Sequence, residues 1–144
     1  MSGLDLAAIH KALADQIRAN VAISGAFTVV PFPSTTARPT IEIHPGSPWV
    51  NYFDTSGADG VSDVNLTIEV YQTRGNSESE HIERCALVSA GTGFASSIVD
   101  AVMTDRSLGG AVADAVTLNV SVDPENGTIS IPVAIMVHKI GAQV

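Results

Sequence analysis

The stretch that decides the fold is Ser89–Val122, which reads SAGTGFASSIVDAVMTDRSLGGAVADAVTLNVSV. It begins with a glycine hinge at Gly91-Thr92-Gly93 and continues with a short apolar segment at Ile98–Thr104. That segment has helical spacing, and it ends at the Leu108-Gly109-Gly110 break. The sequence therefore predicts two helices joined by a hinge, followed by a glycine turn and a strand.

Two stretches alternate between apolar and polar residues, at 63–71 and at 116–122. A period of two predicts a strand with one buried face. In the first strand we expect Val64, Leu66, Ile68 and Val70 to face the core. In the second we expect Val116, Leu118, Val120 and Val122 to point inward, and Thr117, Asn119 and Ser121 to point outward.

The glycine hinge resembles a phosphate-binding loop only at first sight. A Walker loop needs four residues between its glycines and then Lys and Ser or Thr, whereas a single Thr92 separates Gly91 from Gly93. A dinucleotide fingerprint would follow a strand, and this pair follows a predicted helix. We therefore interpret the glycines as a joint, with Ser97 and Asp100 capping the second helix.

The N-terminal segment predicts a helix that ends near Asn20. Ser2 and Asp5 have the spacing of a capping box, and apolar residues follow at helical intervals. The predicted buried stripe is Leu6, Ile9, Leu13, Ile17 and Val21. His10 borders this stripe, and we interpret it as a packed or surface histidine because no second ligand has helical spacing to it.

Strands are predicted at 27–32 and 40–44, the second one closed by Pro45-Gly46. The following segment, Ser47–Ser62, has no periodicity and holds Trp49, Tyr52 and Phe53. Three aromatic residues in five positions predict a loop that packs either on the core of its own domain or on another subunit. Asp54, Asp59 and Asp63 lack the spacing of an EF-hand, so we expect no calcium site.

A helix is predicted from Ser77 to about Ala90. We expect Ile82, Cys85, Ala86 and Ser89 on its inner face and Glu80, Glu83 and Leu87 on its outer face. His81 and Cys85 lie four residues apart, the spacing that a thiolate nucleophile and its base could use. Nothing nearby in the sequence supplies an oxyanion hole or an orienting acid, so a buried structural cysteine is the favoured interpretation.

The C-terminal part predicts a hairpin. Pro124-Glu125-Asn126-Gly127 is typical of a tight turn, and the strand Thr128–His138 follows it. Pro132 cannot donate to a ladder, so this strand is expected at an edge or with a bulge.

Composition limits the functional classes. The chain has 144 residues, 45% of them hydrophobic and 15% charged, and a formal net charge of −8. Seven basic residues scattered singly do not form the cluster that neutralises phosphates in nucleic-acid binding. One cysteine excludes an internal disulfide and a cysteine zinc site, and no secretory signal or membrane span is expected.

These patterns predict one α+β domain over 1–144. We expect a mostly antiparallel four- to five-stranded sheet with helices packed on one face. No cofactor, metal site or catalytic residue is expected, and the other face of the sheet should be mildly polar.

The order of elements resembles the tail terminator proteins of long-tailed bacteriophages, especially those of actinobacteria. The matching features cover nearly the whole chain. They are the Pro-rich turn into Ile43-His44-Pro45-Gly46, the loop with Tyr52 before Val64–Tyr71, the hinge with its short helix, the Leu108-Gly109-Gly110-Ala111-Val112 break and the terminal hairpin. One departure is Phe94-Ala95 after the hinge, where a proline or a basic residue is expected.

The resemblance implies a structural protein of the virion neck, assembled in the host cytoplasm. Six copies would form a ring at the head-proximal end of the tail tube, stop tube polymerisation and join the tube to the head connector. DNA would pass through the lumen without specific binding. We expect subunit or partner contacts at Trp49, Tyr52, Phe53, Leu87, Thr117 and Asn119.

Three alternatives remain open at this point. A head-completion or connector protein, or a tail tube subunit, belongs to the same class, although a tube subunit usually needs a longer hairpin. A small hydrolase or redox enzyme centred on His81 and Cys85 is more distant. A ligand-binding module is the third alternative.

Overall fold

A computed structural model of the chain describes residues 5–34, 37–52, 62–72, 78–91, 93–123, 125 and 127–137. Within these ranges the chain forms four helices and six strands. In chain order they are α1 (Leu6–Arg18), α2 (Val21–Ser24), β1 (Thr28–Val30), β2 (Thr40–Tyr52), β3 (Ser62–Tyr71), α3 (Glu78–Val88), α4 (Ile98–Met103), β4 (Asp114–Thr117), β5 (Ser121–Val122) and β6 (Ile129–Met136).

The strands form one sheet in the order β1-β2-β3-β6-β4, with β5 also paired to β6. Only the β1–β2 pair is parallel, and the pairs that β3 and β6 form are antiparallel. The prediction of an α+β fold with a mostly antiparallel sheet is therefore confirmed. There is one strand more than expected, because the single strand predicted at 116–122 is replaced by β4 and β5.

The core lies between one face of this sheet and the helices. All four apolar residues predicted to face inward from β3 are buried, and residues opposite them on β2 and β6 share their face. Ile9, Leu13 and Ile17 of α1 belong to the same apolar cluster. Full burial of one such side chain contributes about 1.5–3 kcal/mol, so this cluster dominates the stability of the fold.

Two caps divide the N-terminal helical region. The Asp5 carboxylate accepts from the N–H of Ala8 at 3.0 Å and begins α1. Asn20 begins α2 by accepting from the N–H groups of Ala22 and Ile23. Because the chain changes direction at Asn20, Val21 leaves the stripe of α1 and is exposed, so its predicted burial is wrong.

The inner face of α3 differs from the predicted one. Leu87 is 1% exposed and packs in the core, whereas Ile82 is 62% exposed and Cys85 is also exposed. The Nε–H of Arg84 donates to Oε1 of Gln72 at 2.9 Å, which turns the Arg84 side of the helix toward the sheet. Leu87, three residues further, follows Arg84 onto that side, so its predicted outward orientation is wrong.

The second strand does not end at Pro45-Gly46. β2 continues to Tyr52 after a register shift between Pro45 and Val50. A Cβ at Gly46 would lie 2.6 Å from the carbonyl oxygen of Asn65, and the Asn65 amide donates to the carbonyl of Pro48 at 3.1 Å. Pro45 and Gly46 therefore form an irregularity inside a long strand. The sequence pattern had placed the end of the strand at these two residues.

The hinge and the glycine break agree with the prediction where the structure describes them. The Ser97 hydroxyl accepts from the N–H of Asp100 at 3.1 Å and caps α4. The Asp100 carboxylate accepts from the N–H of Gly91 at 2.8 Å, which ties the helix start to the hinge. After α4 the backbone takes positive φ at Leu108, Gly109 and Gly110, and this turn leads the chain into β4.

β6 is an interior strand between β3 and the β4–β5 pair, so the predicted edge position of Pro132 is wrong. The predicted irregularity lies in its neighbour. Thr117 pairs with Val133 and Ser121 with Ser130, so β4–β5 advances four residues while β6 advances three. This extra residue is a bulge that ends β4 opposite Pro132.

Candidate functional site

The first candidate surface lies along the outer edge of the sheet at β4 and β5. Leu118 is 50% exposed, Val120 38% and Val122 48%, and we call these three residues the edge surface. They were predicted to face the core. The pairing of β4 with β6 gives the reverse orientation, since Ala115 is buried and Thr117 lies opposite buried Val133. The bulge follows Thr117, so that Leu118 lies opposite Pro132 on the outer face and Val122 lies opposite buried Ile129 on the core side.

The backbone of this edge also lacks partners. The N–H of Leu118 donates to the Pro132 carbonyl at 2.8 Å, but Pro132 has no N–H to return. Asn119 and Val120, between the two strands, form no main-chain hydrogen bond with any described residue. Open main-chain groups beside exposed apolar side chains are the usual features of an edge that pairs with another chain.

The opposite edge of the sheet is protected. The Arg18 guanidinium donates from Nη2 to the carbonyl of Val29 in β1 at 2.7 Å, and its Nη1 pairs with Asp15 at 2.5 Å. A side chain of α1 therefore occupies a main-chain acceptor that an added strand would need. The two edges differ, and of the two only the β4–β5 edge is open to strand addition.

A second apolar surface lies on the β1–β2 side. Phe32 follows β1, Trp49 lies in β2, and each is 39% exposed. We call these two residues the aromatic patch. Buried His10 of α1 holds them together, since its ring stacks on Phe32 at a centroid distance of 5.0 Å and meets Trp49 edge-on at 5.8 Å.

His10 is fixed in turn by the backbone. Its Nδ1 donates to the carbonyl of Pro31 at 2.8 Å, which identifies the Nδ1–H tautomer for the neutral ring. Burial lowers the pKa of His10 below 6.5, and nearby His44 acts in the same direction, while the carbonyls of Pro31 and Ile43 oppose both. A neutral, buried imidazole is a packing element of the patch, as the sequence indicated.

The outer face of the sheet carries a third feature, a polar cluster on β2, β3 and β6. Glu42 is buried and lies opposite Glu69 in the β2–β3 ladder. Each of the two carboxylates has a hydrogen-bond partner within the chain. His44 Nε2 lies 2.8 Å from Oε1 of Glu42, and the Ser130 hydroxyl donates to Glu69 at 2.5 Å. This arrangement satisfies the carboxylates within the chain, which is the behaviour of a structural network.

Arg38 and Tyr71 lie beside Glu42 at one end of this cluster. The guanidinium lies 5.3 Å from the centre of the Tyr71 ring, beside a shallow recess of about 210 Å³ that Glu42 also lines. Burial raises the pKa of Tyr71, with Glu69 and Glu42 adding to the rise and Arg38 opposing it. The raised pKa keeps the Tyr71 hydroxyl protonated at neutral pH.

The structure separates the contact residues that the sequence predicted. Trp49 and Asn119 are exposed, Thr117 is half-buried on the core side, and Leu87 is buried and so offers no surface. The backbone of Tyr52 ends β2, and Phe53 lies outside the described residues. Phe32 and the exposure of Leu118, Val120 and Val122 were not predicted from the sequence. Pro132 was the one signal that could have indicated the latter.

The pair considered for thiol chemistry is not assembled. His81 directs Nδ1 toward Nη1 of Arg84 at 2.8 Å, and Cys85 is exposed on the same helix. Across the ranges that the structure describes, no three His, Cys, Asp or Glu side chains group as metal ligands. In those same ranges no helix has both the length and the apolar character needed to cross a bilayer.

No protein-family model matches the chain, and no curated protein matches it.

Proposed function

We propose that this protein is a structural subunit that assembles with copies of itself into a closed ring, and that the ring is the tail terminator of a long-tailed bacteriophage. The observation that carries the proposal is the open β4–β5 edge with its exposed Leu118, Val120 and Val122. The resemblance in the order of elements supplies the biological setting, and the edge supplies a physical means of assembly.

The edge surface supports assembly because three exposed apolar side chains lie within five residues of chain at the edge of the sheet. Single exposed apolar residues are ordinary in a soluble protein, but exposed apolar residues beside unpaired main-chain groups at a sheet edge are characteristic of an interaction site. Burial of these side chains by a neighbour would remove apolar surface from water and satisfy the open backbone.

Charge supports a ring around DNA. Each copy has a formal net charge of −8, so six copies carry −48. Acidic groups near a lumen repel phosphates and keep DNA from adhering to the wall. Among the described residues, neither the outer-face cluster nor the edge presents the basic cluster that nucleic-acid binding requires.

The first test is assembly of the purified protein, followed by its effect on tail tubes. We expect rings of uniform diameter by negative-stain electron microscopy, and tubes grown from purified major tail protein should stop lengthening when rings are added. Tubes of indefinite length built from this protein alone would identify it as a tube subunit. Rings that bind isolated head connectors but leave tube growth unchanged would favour the connector alternative.

A matched pair of variants connects the assembly to the edge. Val120→Asp places a charge in the edge surface, and Ile82→Asp places the same charge on the exposed face of α3. We expect the first variant to lose the rings and the second to keep them. Rings that survive Val120→Asp with undiminished stability would contradict the role of the edge surface.

A further inference from the structure

We propose that His81 and Arg84 of α3 form a proton-sensitive latch, which holds the β5–β6 turn while the His81 ring is neutral and releases it once the ring is protonated. The latch lies within one chain and goes beyond the proposed ring. It gives a role to a histidine whose spacing to Cys85 suggested only thiol chemistry.

Arg84 connects three parts of the fold. It lies in α3, and its Nε–H donates to Oε1 of Gln72, the residue after β3, at 2.9 Å. Its guanidinium also lies against Gly127 in the β5–β6 turn, where a Cβ would collide with Nη2. The N–H of Gly127 donates to the carbonyl of Asp123 at 2.7 Å and closes this turn. Arg84 therefore fastens the turn to α3 and to the end of β3.

His81 holds the guanidinium from the preceding turn of α3. Its Nδ1 lies 2.8 Å from Nη1 of Arg84. Because a guanidinium nitrogen can only donate, Nδ1 is the acceptor, and the neutral ring carries its proton on Nε2. The two residues are three positions apart, the spacing at which side chains meet on a helix. His81 thus orients one nitrogen of Arg84 while Gln72 orients another.

Protonation of the ring removes this acceptor. An imidazolium carries an N–H on both nitrogens, so Nδ1 would direct a hydrogen at the N–H of Arg84. Two positive charges would also lie within hydrogen-bond distance of each other and repel. Histidine is the side chain that ordinarily changes charge between pH 5 and 8. Mild acid therefore displaces the guanidinium from His81 and weakens its contact with Gly127.

The neighbouring charges do not replace the lost acceptor. Within the described residues, the titratable groups on α3 and on the β5–β6 turn are Glu78, Glu80, Glu83, Cys85, Asp123 and Glu125, and the end of β3 contributes neutral Gln72. Carboxylates and thiols ordinarily keep one charge state between pH 5 and 7.5, so His81 is the group that changes. The His81 ring is exposed, which lets it exchange a proton with the solvent.

Release of the turn affects the strand before it. β5 has only two residues, and its ladder with β6 continues into the turn, where the N–H of Asp123 donates to the carbonyl of Thr128 at 2.9 Å. Loosening of the turn therefore frees the end of β5, which carries Val122 of the edge surface.

Two variants fix the latch in its two states. His81→Asn keeps an acceptor oxygen near the position of Nδ1 and cannot be protonated, so the turn should stay held at every pH. Arg84→Gln removes the guanidinium, so the turn should be released at every pH. Circular dichroism must show that both are folded, and Arg84→Lys replaces Arg84→Gln if the latter is not.

Hydrogen–deuterium exchange with mass spectrometry measures the peptide that contains the Gly127 amide, at pH 7.5 and 5.5, with correction for the intrinsic exchange rate. In the wild type we expect protection to fall about two- to tenfold at pH 5.5, the change that one net hydrogen bond produces. His81→Asn should show no fall, and Arg84→Gln should have low protection at both pH values. A peptide from α4 reports any change that affects the whole fold.

Equal loss of protection in the wild type and His81→Asn overturns the latch, as does wild-type protection of Arg84→Gln at pH 7.5. Val120→Asp separates the latch from the proposed ring, because it keeps both latch residues and lacks an intact edge surface. The same pH response in Val120→Asp supports a device within one chain. A response confined to the wild type overturns it and assigns the effect to assembly, whereas a monomeric wild type contradicts the ring alone.

Discussion

Leu118 and Pro132 lie opposite each other where the ladder between β4 and β6 ends. The N–H of Leu118 donates to the Pro132 carbonyl at 2.8 Å, and the proline ring leaves no N–H to complete the pair. From Leu118 to Ser121 the chain advances three residues while β6 advances two, from Pro132 to Ser130, and β5 begins at Ser121. The carbonyl of Leu118 is thus left without the main-chain donor that another residue at position 132 would supply.

Pro132→Ala tests that relationship. An alanine at this position supplies an N–H directed at the carbonyl of Leu118, because the N–H and C=O of one residue in an antiparallel ladder point to the same side. We expect the new amide to be protected from hydrogen exchange in NMR spectra, as the flanking amides of β6 are. Exchange at the rate of an exposed amide would contradict the cross-strand pairing of Leu118 with residue 132.

Leu87→Ala tests the inner face of α3. The side chain is fully packed, so truncation should lower the free energy of unfolding by about 2–5 kcal/mol. Ile82→Ala on the exposed face is the control and should change it by about 0.5 kcal/mol or less. Denaturant titration of both variants measures the difference, and the reverse order of effects would restore the face predicted from the sequence.

Gly46→Ala tests the close approach of β2 and β3. The added methyl group would meet the Asn65 backbone at 2.6 Å, and forcing the strands apart should destabilise the protein by about 1–3 kcal/mol. Gly93→Ala is the matched control, since a Cβ there has no heavy atom within 4 Å among the described residues. Thermal unfolding of the pair checks this, and equal melting temperatures would count against the packing at Gly46.

The buried ring of His10 predicts a pH dependence of stability. Burial lowers its pKa in the folded state below 6.5, so the unfolded chain binds a proton first as the pH falls. The contribution of His10 is therefore constant above that pH and becomes unfavourable below it. Unfolding free energies at pH 7.5 and 5.5 should differ more for the wild type than for His10→Asn. The difference between the two proteins separates His10 from other groups such as nearby His44, and an equal pH dependence would contradict the assignment.

Much of the fold follows from periodicity. The strand at 63–71, the stripe of α1 through Ile17, the Ser97 cap and the α+β class are readable because each depends on neighbours in sequence. The errors have a common origin in contacts between distant segments. Gly46 has the signature of a turn but packs on Asn65, and the face of α3 is set by Arg84 reaching Gln72.

The candidate surfaces were harder to predict for the same reason. Alternation from Val116 to Val122 predicts a single buried face, whereas the pairing with β6 reverses the orientation of β4 and adds a bulge before β5. Trp49 was predicted to be a contact residue from its rarity in the sequence, and it is partly exposed. Phe32 lies 17 positions earlier in the sequence, and both rings contact His10. No local sequence pattern indicates these contacts.

The most direct test of the account is the mass of the purified wild-type protein in solution, measured by size-exclusion chromatography with light scattering and by native mass spectrometry. One chain has a mass of 14.9 kDa, so a six-membered ring has a mass of about 89 kDa. We predict one closed species at that mass that does not grow with concentration. A species of 14.9 kDa at every concentration would contradict the account.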